Sequence, residues 1–194
     1  MLPSQNKVPP TPSKAVITVF QSRFSDKGAI ATSVRDTLSD NAKKIDGARD
    51  LVSNFRNDLP HESTSIISGN IRRIPEDQLI YIHSVVASLG LKAWNPDVLS
   101  TDPNSMYNIL HEQLAIQTFQ HLVAAHGYAH MGINHSKIKL SLLQRFYRSF
   151  VYGRMRDLAR RELKSPGGVQ KDTVATNMYK RRSEVCHVQL FYRL

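Results

Sequence analysis

The sequence has little cysteine and no long apolar run, and each shortage excludes a class of protein. Cys186 is the only cysteine among 194 residues, so an internal disulfide and a four-cysteine zinc site are both excluded. No stretch approaches the roughly 18 consecutive apolar residues of a membrane-spanning helix, and residues 1–12 lack the apolar core of a secretory signal. We therefore expect an intracellular protein, and a nuclear location is compatible with the composition.

Positive charge is absent from one segment and concentrated in the next. Residues 98–136 contain no Lys or Arg, whereas residues 137–194 contain 14 Lys and Arg against four acids. This last segment accounts for the net charge of +10 of the whole chain. A segment this basic attracts polyanions through long-range attraction and counterion release. Nucleic acid and an acidic protein surface are the two alternatives for the partner.

The two ends of the chain carry the weakest structural signals. Residues 1–15 contain four prolines and few bulky side chains, which predicts a flexible arm. The β-branched run at residues 16–20 favours a strand or an extended segment packed on helices. Apolar residues alternate over residues 188–194 as they would in a strand. A short β element at the chain ends is therefore one expectation.

Residues 34–59 carry apolar residues at heptad spacing. The seam consists of Val34, Leu38, Asn41, Ile45, Ala48, Val52, Phe55 and Leu59. One interpretation is a parallel coiled coil that forms a homo-oligomer through residues 34–59, with Asn41 setting the register. The other is a long helix packed within its own chain. We favour the second, because Ala48 makes the seam thin and Gly47 lowers helix propensity.

The rest of the chain predicts a helical body. Helices are expected over residues 75–89 with Gly90 as the terminal cap, over residues 102–126 with Asp102 as the first cap, and over residues 136–164. The predicted fold is mainly α, with about five helices in an orthogonal or bundle-like arrangement.

The predicted domain organisation is simple. After the arm, residues 16–194 are expected to form a single mostly helical domain. A division near residues 61–74 is the alternative, and it would separate a long helix at residues 26–59 from a body at residues 75–194.

The last predicted helix carries a basic stripe. At 100° per residue, five residues fall on the side opposite its apolar residues: Arg145, Arg148, Tyr152, Arg156 and Arg160. Four later cations would extend this footprint: Lys171, Lys180, Arg181 and Arg182. Arg154 and Arg161 are assigned instead to ion pairs with Asp157, which lies three and four residues away. The stripe predicts a non-catalytic nucleic-acid-binding protein in which arginines grip phosphates and Tyr152 stacks or packs among them.

The histidines suggest a third and weakest alternative, a metal-dependent enzyme. Five of the eight histidines fall within 25 residues: His111, His121, His126, His130 and His135. His126 and His130 have the spacing that places two imidazoles on one helix face, but the metalloprotease pattern needs a glutamate where Gly127 stands. We find no catalytic motif and expect no cofactor or metal. The second alternative remains an oligomeric helical scaffold or adaptor for acidic protein partners.

Overall fold

The computed structural model describes residues 11–39, 47–59, 66–132, 138–169 and 171. Its helices are α1 (Lys14–Arg23), α2 (Lys27–Ser39), α3 (Ala48–Asn57), α4 (Ile66–Arg72), α5 (Glu76–Ser88), α6 (Met106–Ala124), α7 (Leu140–Ser149) and α8 (Arg156–Lys164). A 3₁₀ turn, Ala129–Met131, follows α6, and a π-helical turn, Phe150–Met155, joins α7 to α8. The prediction of a mainly α protein is confirmed.

Residues 16–20, which we expected to be extended, lie inside α1. The side chain of Ser13 caps this helix by accepting a hydrogen bond from the backbone N–H of Val16 at 3.4 Å. Phe20 is buried, and its ring contacts Tyr107 edge to face with the centroids 6.0 Å apart. Burial of one helical face therefore outweighs the strand propensity of these residues, and the strand prediction is wrong here. The predicted strand near the other chain end and residues 1–10 of the arm lie outside the described residues.

The heptad segment is not one continuous helix. α2 and α3 are separate, and Gly47, immediately before α3, has a left-handed φ of 77°. A residue in this conformation interrupts a right-handed helix, so the prediction of a long helix through residues 26–59 is wrong. Residues 40–46, with Asn41 and Ile45 of the seam, lie outside the described residues.

Several seam residues are buried within the chain itself. Val34 joins the core cluster formed with α5 and α6, whereas Val52 packs with Ile74, Leu79 and Ile80. Phe55 and Leu59 are buried as well. These side chains contribute to the core of their own chain, as in the second interpretation of the seam.

α6 is the central helix and packs against α1, α2, α5 and α7. Its buried apolar residues point in several directions: Tyr107, Ile109, Leu110, Leu114, Ile116, Leu122 and Val123. A helix that is apolar on most sides must be covered on most sides, which explains its central position. Ile30 of α2 and Val85 and Leu89 of α5 complete the main core around it.

The ends of α5 and α6 show which sequence signals were correct. α5 begins after Pro75 and ends just before Gly90, close to the expected limits. α6 begins later than expected, because Ser105 accepts a hydrogen bond from the backbone N–H of Asn108 and serves as its cap. Asp102 is not the cap of this helix; its carboxylate accepts from the backbone N–H of Asn104 in the preceding turn.

Replacing Gly90 with alanine should lower the free energy of unfolding by about 1–2 kcal/mol, because the φ of 76° is unfavourable for a residue with a Cβ. The added Cβ would also lie 3.3 Å from Nη1 of Arg23, which donates to the carbonyl of Leu89. Gly153→Ala is the matched control, since its Cβ would meet nothing within 4 Å. Urea unfolding should show a loss for the first variant and no loss for the second. Equal free energies of unfolding for Gly90→Ala and Gly153→Ala would contradict the requirement for glycine at position 90.

Candidate nucleic-acid interface

The segment from α7 to α8 is held against the body by a small apolar cluster. Val151, Met155 and Ala159 are buried together with Val98, which lies in the loop between α5 and α6. Their spacing of four residues places them on one face, so this face points inward from the π-helical turn into α8. The side chains next to this row decide which of the predicted ligand residues reach solvent.

Arg148 is turned toward the protein and not only toward solvent. Its Nε donates a hydrogen bond to Oε2 of Glu112 at 3.0 Å, and this contact is also an ion pair. The side chain of Glu112 is only 3% exposed, whereas that of Arg148 is 48% exposed. A buried carboxylate is costly without a cationic partner, so Arg148 has a structural role. Its assignment as a free phosphate ligand is corrected.

Arg156 also holds the segment to the loop before α6. Its Nε donates to the carbonyl of Val98 at 2.8 Å, and its Nη2 donates to the carbonyl of Ser100 at 3.0 Å. The guanidinium lies 5.3 Å from the centroid of the Tyr152 ring. The hydroxyl oxygen of Tyr152 is buried without a hydrogen-bond partner among the described residues, and burial raises the pKa of Tyr152. Tyr152 and Arg156 therefore form an internal stack, and the stripe is not the outward surface that we predicted.

The remaining cations of the segment do reach the surface. Arg145 and Arg160, from the predicted stripe, are exposed, and so is Lys171. Arg154, Arg161 and Lys164 are exposed as well. Lys180, Arg181 and Arg182 lie outside the described residues. Of the predicted ligand residues, Arg148 and Arg156 thus contact the body of the protein. The exposed cations Arg145, Arg154, Arg160, Arg161, Lys164 and Lys171 are called the outward cations below.

Two acids, Asp157 and Glu162, lie among the described residues of this segment. Asp157 is exposed on α8, amid the outward cations. Glu162 is half-buried, and its carboxylate accepts hydrogen bonds from the backbone N–H groups of Gly167 and Val169. It therefore fixes the turn after α8 and is directed to the backbone. The exposed charged residues of α8 are therefore the cations Arg160, Arg161 and Lys164 and the acid Asp157.

Apolar residues that the sequence assigned to the core lie on the outside of α7 and at the start of the π-helical turn that follows it. Phe146 is 58% exposed and Phe150 is 50% exposed, and Leu142 one turn earlier is also exposed. Their spacing of four residues makes them an exposed row along the helix. The helix is thus rotated about its axis relative to the prediction: Phe146 and Phe150 are at least half exposed, whereas Arg148 and Arg156 donate hydrogen bonds to the body of the protein.

The sequence analysis did not identify Glu112 as the partner of an arginine, although the sequence contains a pattern that indicates this role. It is one of only two acids in residues 98–136, a segment without any cation. It also lies within α6, where it is buried next to His111. A charged residue at such a position requires a cation from elsewhere in the chain, and residues 137–164 are the nearest basic segment. This argument could have identified an inward arginine.

The histidines among the described residues do not assemble into a metal site. Within the described residues no group of three potential ligands is suitably placed, and His135 lies outside that part of the chain. α6 ends at Ala124, and His126 has a positive φ of 58°, so His126 and His130 do not share a helix face as the metal hypothesis assumed. The metal hypothesis is therefore not supported by these residues.

His111 is deeply buried among aromatic rings. The Tyr107 ring lies 4.6 Å away and the Trp94 ring 6.4 Å away, between centroids. Neither ring nitrogen of His111 has a hydrogen-bond partner among the described residues. Burial lowers the pKa of His111 to about 3, so the imidazole is neutral at pH 7.

Two general properties bear on the class of this protein. None of the helices in the described ranges has both the length and the hydropathy that crossing a bilayer requires. Comparison with protein-family models, with curated protein sequences and with solved structures gives no match for this chain.

Proposed function

We propose that this chain is a non-catalytic nucleic-acid-binding protein that contacts the phosphate backbone through the outward cations of its last helices. The observation that carries the proposal is the exposure of Arg145, Arg154, Arg160 and Lys164 along α7 to α8, with Asp157 as the exposed acid among them. Lys171 extends this surface beyond the helix. Arginine and lysine at these positions would neutralise phosphates and release counterions, which gives affinity without base specificity.

The exposed aromatic row favours a single strand over a duplex. Phe146 and Phe150 lie one turn apart and next to Arg145, and about half of each ring side chain is exposed. Unpaired bases can stack on such rings while the phosphates follow neighbouring cations. In a duplex the base faces are covered by their neighbours. Tyr152 was expected to stack or pack among the arginines, and in this proposal Phe146 and Phe150 are the rings on which bases stack.

The test is a salt titration of binding to a labelled mixed-sequence single-stranded oligonucleotide. Replacing Arg154, Arg160 and Lys164 together with glutamine should weaken binding at least about tenfold and reduce the slope of log K against log salt by about 2. The matched control replaces three exposed cations of the first third of the chain, Lys27, Arg35 and Arg49, and changes the net charge equally. Equal losses in the two triple variants, or no binding by the wild type, would contradict the proposal.

Replacing Phe146 and Phe150 with serine should selectively reduce the preference for a single strand. Base stacking on an aromatic ring contributes about 1–3 kcal/mol per base, so affinity for the single strand should fall about tenfold or more. Affinity for a duplex of the same length should change little. Because both rings are exposed, the double variant should remain folded. Equal losses for single strand and duplex would reject stacking on these rings.

A second candidate function is an adaptor for an acidic protein, favoured by the same exposed apolar row of Leu142, Phe146 and Phe150. Cations that flank an apolar helix face are typical of a surface that binds an acidic amphipathic partner. An oligomer through residues 34–59 has less support, since Val34 and Val52 are already buried in their own chain. Sedimentation at tens of micromolar tests that oligomer, and a monomer would reject it. An intracellular location, including the nucleus, is part of both proposals.

A further inference from the structure

A largely apolar pocket lies between α3, α5 and α6, away from the basic surface. Its volume is about 250 Å³. Five aromatic side chains contribute to its walls: Phe55, His83, Trp94, Phe119 and Tyr128. Two ring pairs are already in contact there, Phe55 with His83 at 6.3 Å and Phe119 with Tyr128 at 5.3 Å between centroids. The pocket is therefore a cage of aromatic rings set in the helical core.

Two polar groups of the walls are engaged within the protein. The Trp94 Nε1 donates to the carbonyl of His111 at 3.1 Å, and the Thr118 hydroxyl donates to the carbonyl of Leu114 at 2.6 Å. Burial lowers the pKa of His83, so its imidazole is neutral at pH 7 and offers one donor and one acceptor. A ligand in this pocket would meet aromatic and aliphatic surface and very few polar groups. An anionic ligand would lose its hydration without compensation, because its charge would face the negative faces of the aromatic rings.

A tight corner after α6 fixes the wall that contains Tyr128. Gly127 is buried, and a Cβ at this position would lie 2.0 Å from Oε1 of Gln78. The amide of Gln78 in turn donates to the carbonyl of Ala125 at 3.0 Å. This close approach permits the chain to turn back over the pocket directly after α6. The position of Tyr128 is thus determined by local packing.

From this geometry we propose that the pocket binds an uncharged bicyclic aromatic molecule of about ten ring atoms. An apolar cavity of about 150 Å³ holds benzene, with six ring atoms, so a cavity of this size suits two fused rings. Flat rings would lie against the aromatic walls in offset or edge-to-face contact, which is the arrangement that aromatic pairs prefer. A single hydroxyl or ring N–H on the ligand would find its partner at His83 or Tyr128. None of the outward cations lines this pocket, so the inference is independent of nucleic-acid binding.

The chain contains its own reporter for this binding, because Trp94 is its only tryptophan and lies in the pocket wall. Titration with 2-naphthol should quench the Trp94 emission saturably with one molecule per chain. When the free 2-naphthol concentration is ten times the dissociation constant, the melting temperature of the protein should rise by about 3 °C. Naphthalene-2-sulfonate, with the same rings and one negative charge, should not produce this quenching. Absence of saturable quenching by 2-naphthol would overturn the proposal.

Ala115→Leu is the blocking variant, since Ala115 lines the pocket and leucine adds three carbons into it. We expect 2-naphthol binding to weaken at least about tenfold, whereas the control Ala124→Leu, at an exposed position of the same helix, should bind as the wild type does. Unchanged binding to Ala115→Leu would place 2-naphthol elsewhere and reject the site. If Ala115→Leu does not fold, intermolecular NOEs in the wild type decide. NOEs from 2-naphthol to the Phe119 and Tyr128 rings support the site, and their absence rejects it.

Discussion

Arg148→Met should lower the free energy of unfolding by about 3 kcal/mol, whereas Arg145→Met should change it by less than about 0.5 kcal/mol. The reason is that Glu112 is buried and has Arg148 as its ionic partner, so methionine would leave a carboxylate without a cation. This loss is smaller than the loss expected when a fully buried ion pair is broken, because about half of the Arg148 side chain is exposed to solvent. Arg145 is exposed three residues earlier on the same helix, which makes it a matched control. Urea unfolding at pH 7 measures both variants.

The substitution Glu112→Gln tests whether the buried charge of Glu112 is the reason that Arg148→Met lowers the stability. In a Glu112→Gln background the buried charge is absent, so Arg148→Met should cost at least about 1 kcal/mol less than it does in the wild type. This coupling would show that the two side chains stabilise the fold as a pair. Equal and small effects of Arg148→Met and Arg145→Met would mean that Arg148 does not face Glu112 in solution.

Acidification from pH 7 to pH 4.5 should destabilise the wild type by about 2–3 kcal/mol more than it destabilises His111→Leu. Burial lowers the pKa of His111 to about 3, compared with 6.5 for an unperturbed histidine. Between these values the unfolded chain binds a proton that the folded chain does not, at a cost of about 1.4 kcal/mol per pH unit. The stability from neutral His111 is thus complete above pH 6.5 and is lost as the pH falls toward 3. Urea unfolding at the two pH values measures the difference.

The control for this experiment is His130→Leu, because His130 is exposed. It should retain the pH dependence of the wild type, including the contribution of the carboxylates that titrate in the same range. His111→Leu should also be at least as stable as the wild type at pH 7, since it removes two buried nitrogens that lack hydrogen-bond partners among the described residues. Parallel pH dependences of the wild type and His111→Leu would contradict the burial of a neutral histidine.

The sequence was sufficient to find the central helices. α5 and α6 are long and strongly apolar, and Pro75, Gly90 and the interruption at Trp94 mark their limits within a few residues. These signals are local, so no knowledge of the tertiary contacts was needed. The left-handed Gly47 is also a local feature, but a heptad pattern that continued on both sides of it concealed the break between α2 and α3.

The rotation of α7 and α8 could not be read from periodicity alone. Apolar residues occupy a wide sector around this segment, so periodicity leaves open which part of that sector is buried. The choice depends on contacts from distant parts of the chain, namely the carboxylate of Glu112 and the carbonyls of Val98 and Ser100. Each of them needs a hydrogen-bond donor, and Arg148 and Arg156 supply it. Satisfaction of buried polar groups thus decided the orientation, and two of the predicted phosphate ligands became structural residues.

The most direct measurement of this orientation is the hydrogen exchange of the arginine Nε–H groups by NMR. Nε of Arg148 donates to Glu112 and Nε of Arg156 donates to the carbonyl of Val98, so both protons should exchange at least about tenfold more slowly than those of Arg145 and Arg160. Single substitutions to lysine would assign the four signals. Slow exchange at positions 148 and 156 alone is the predicted result. Equally fast exchange at all four would contradict the inward placement of these two arginines, and with it the outward surface proposed to bind nucleic acid.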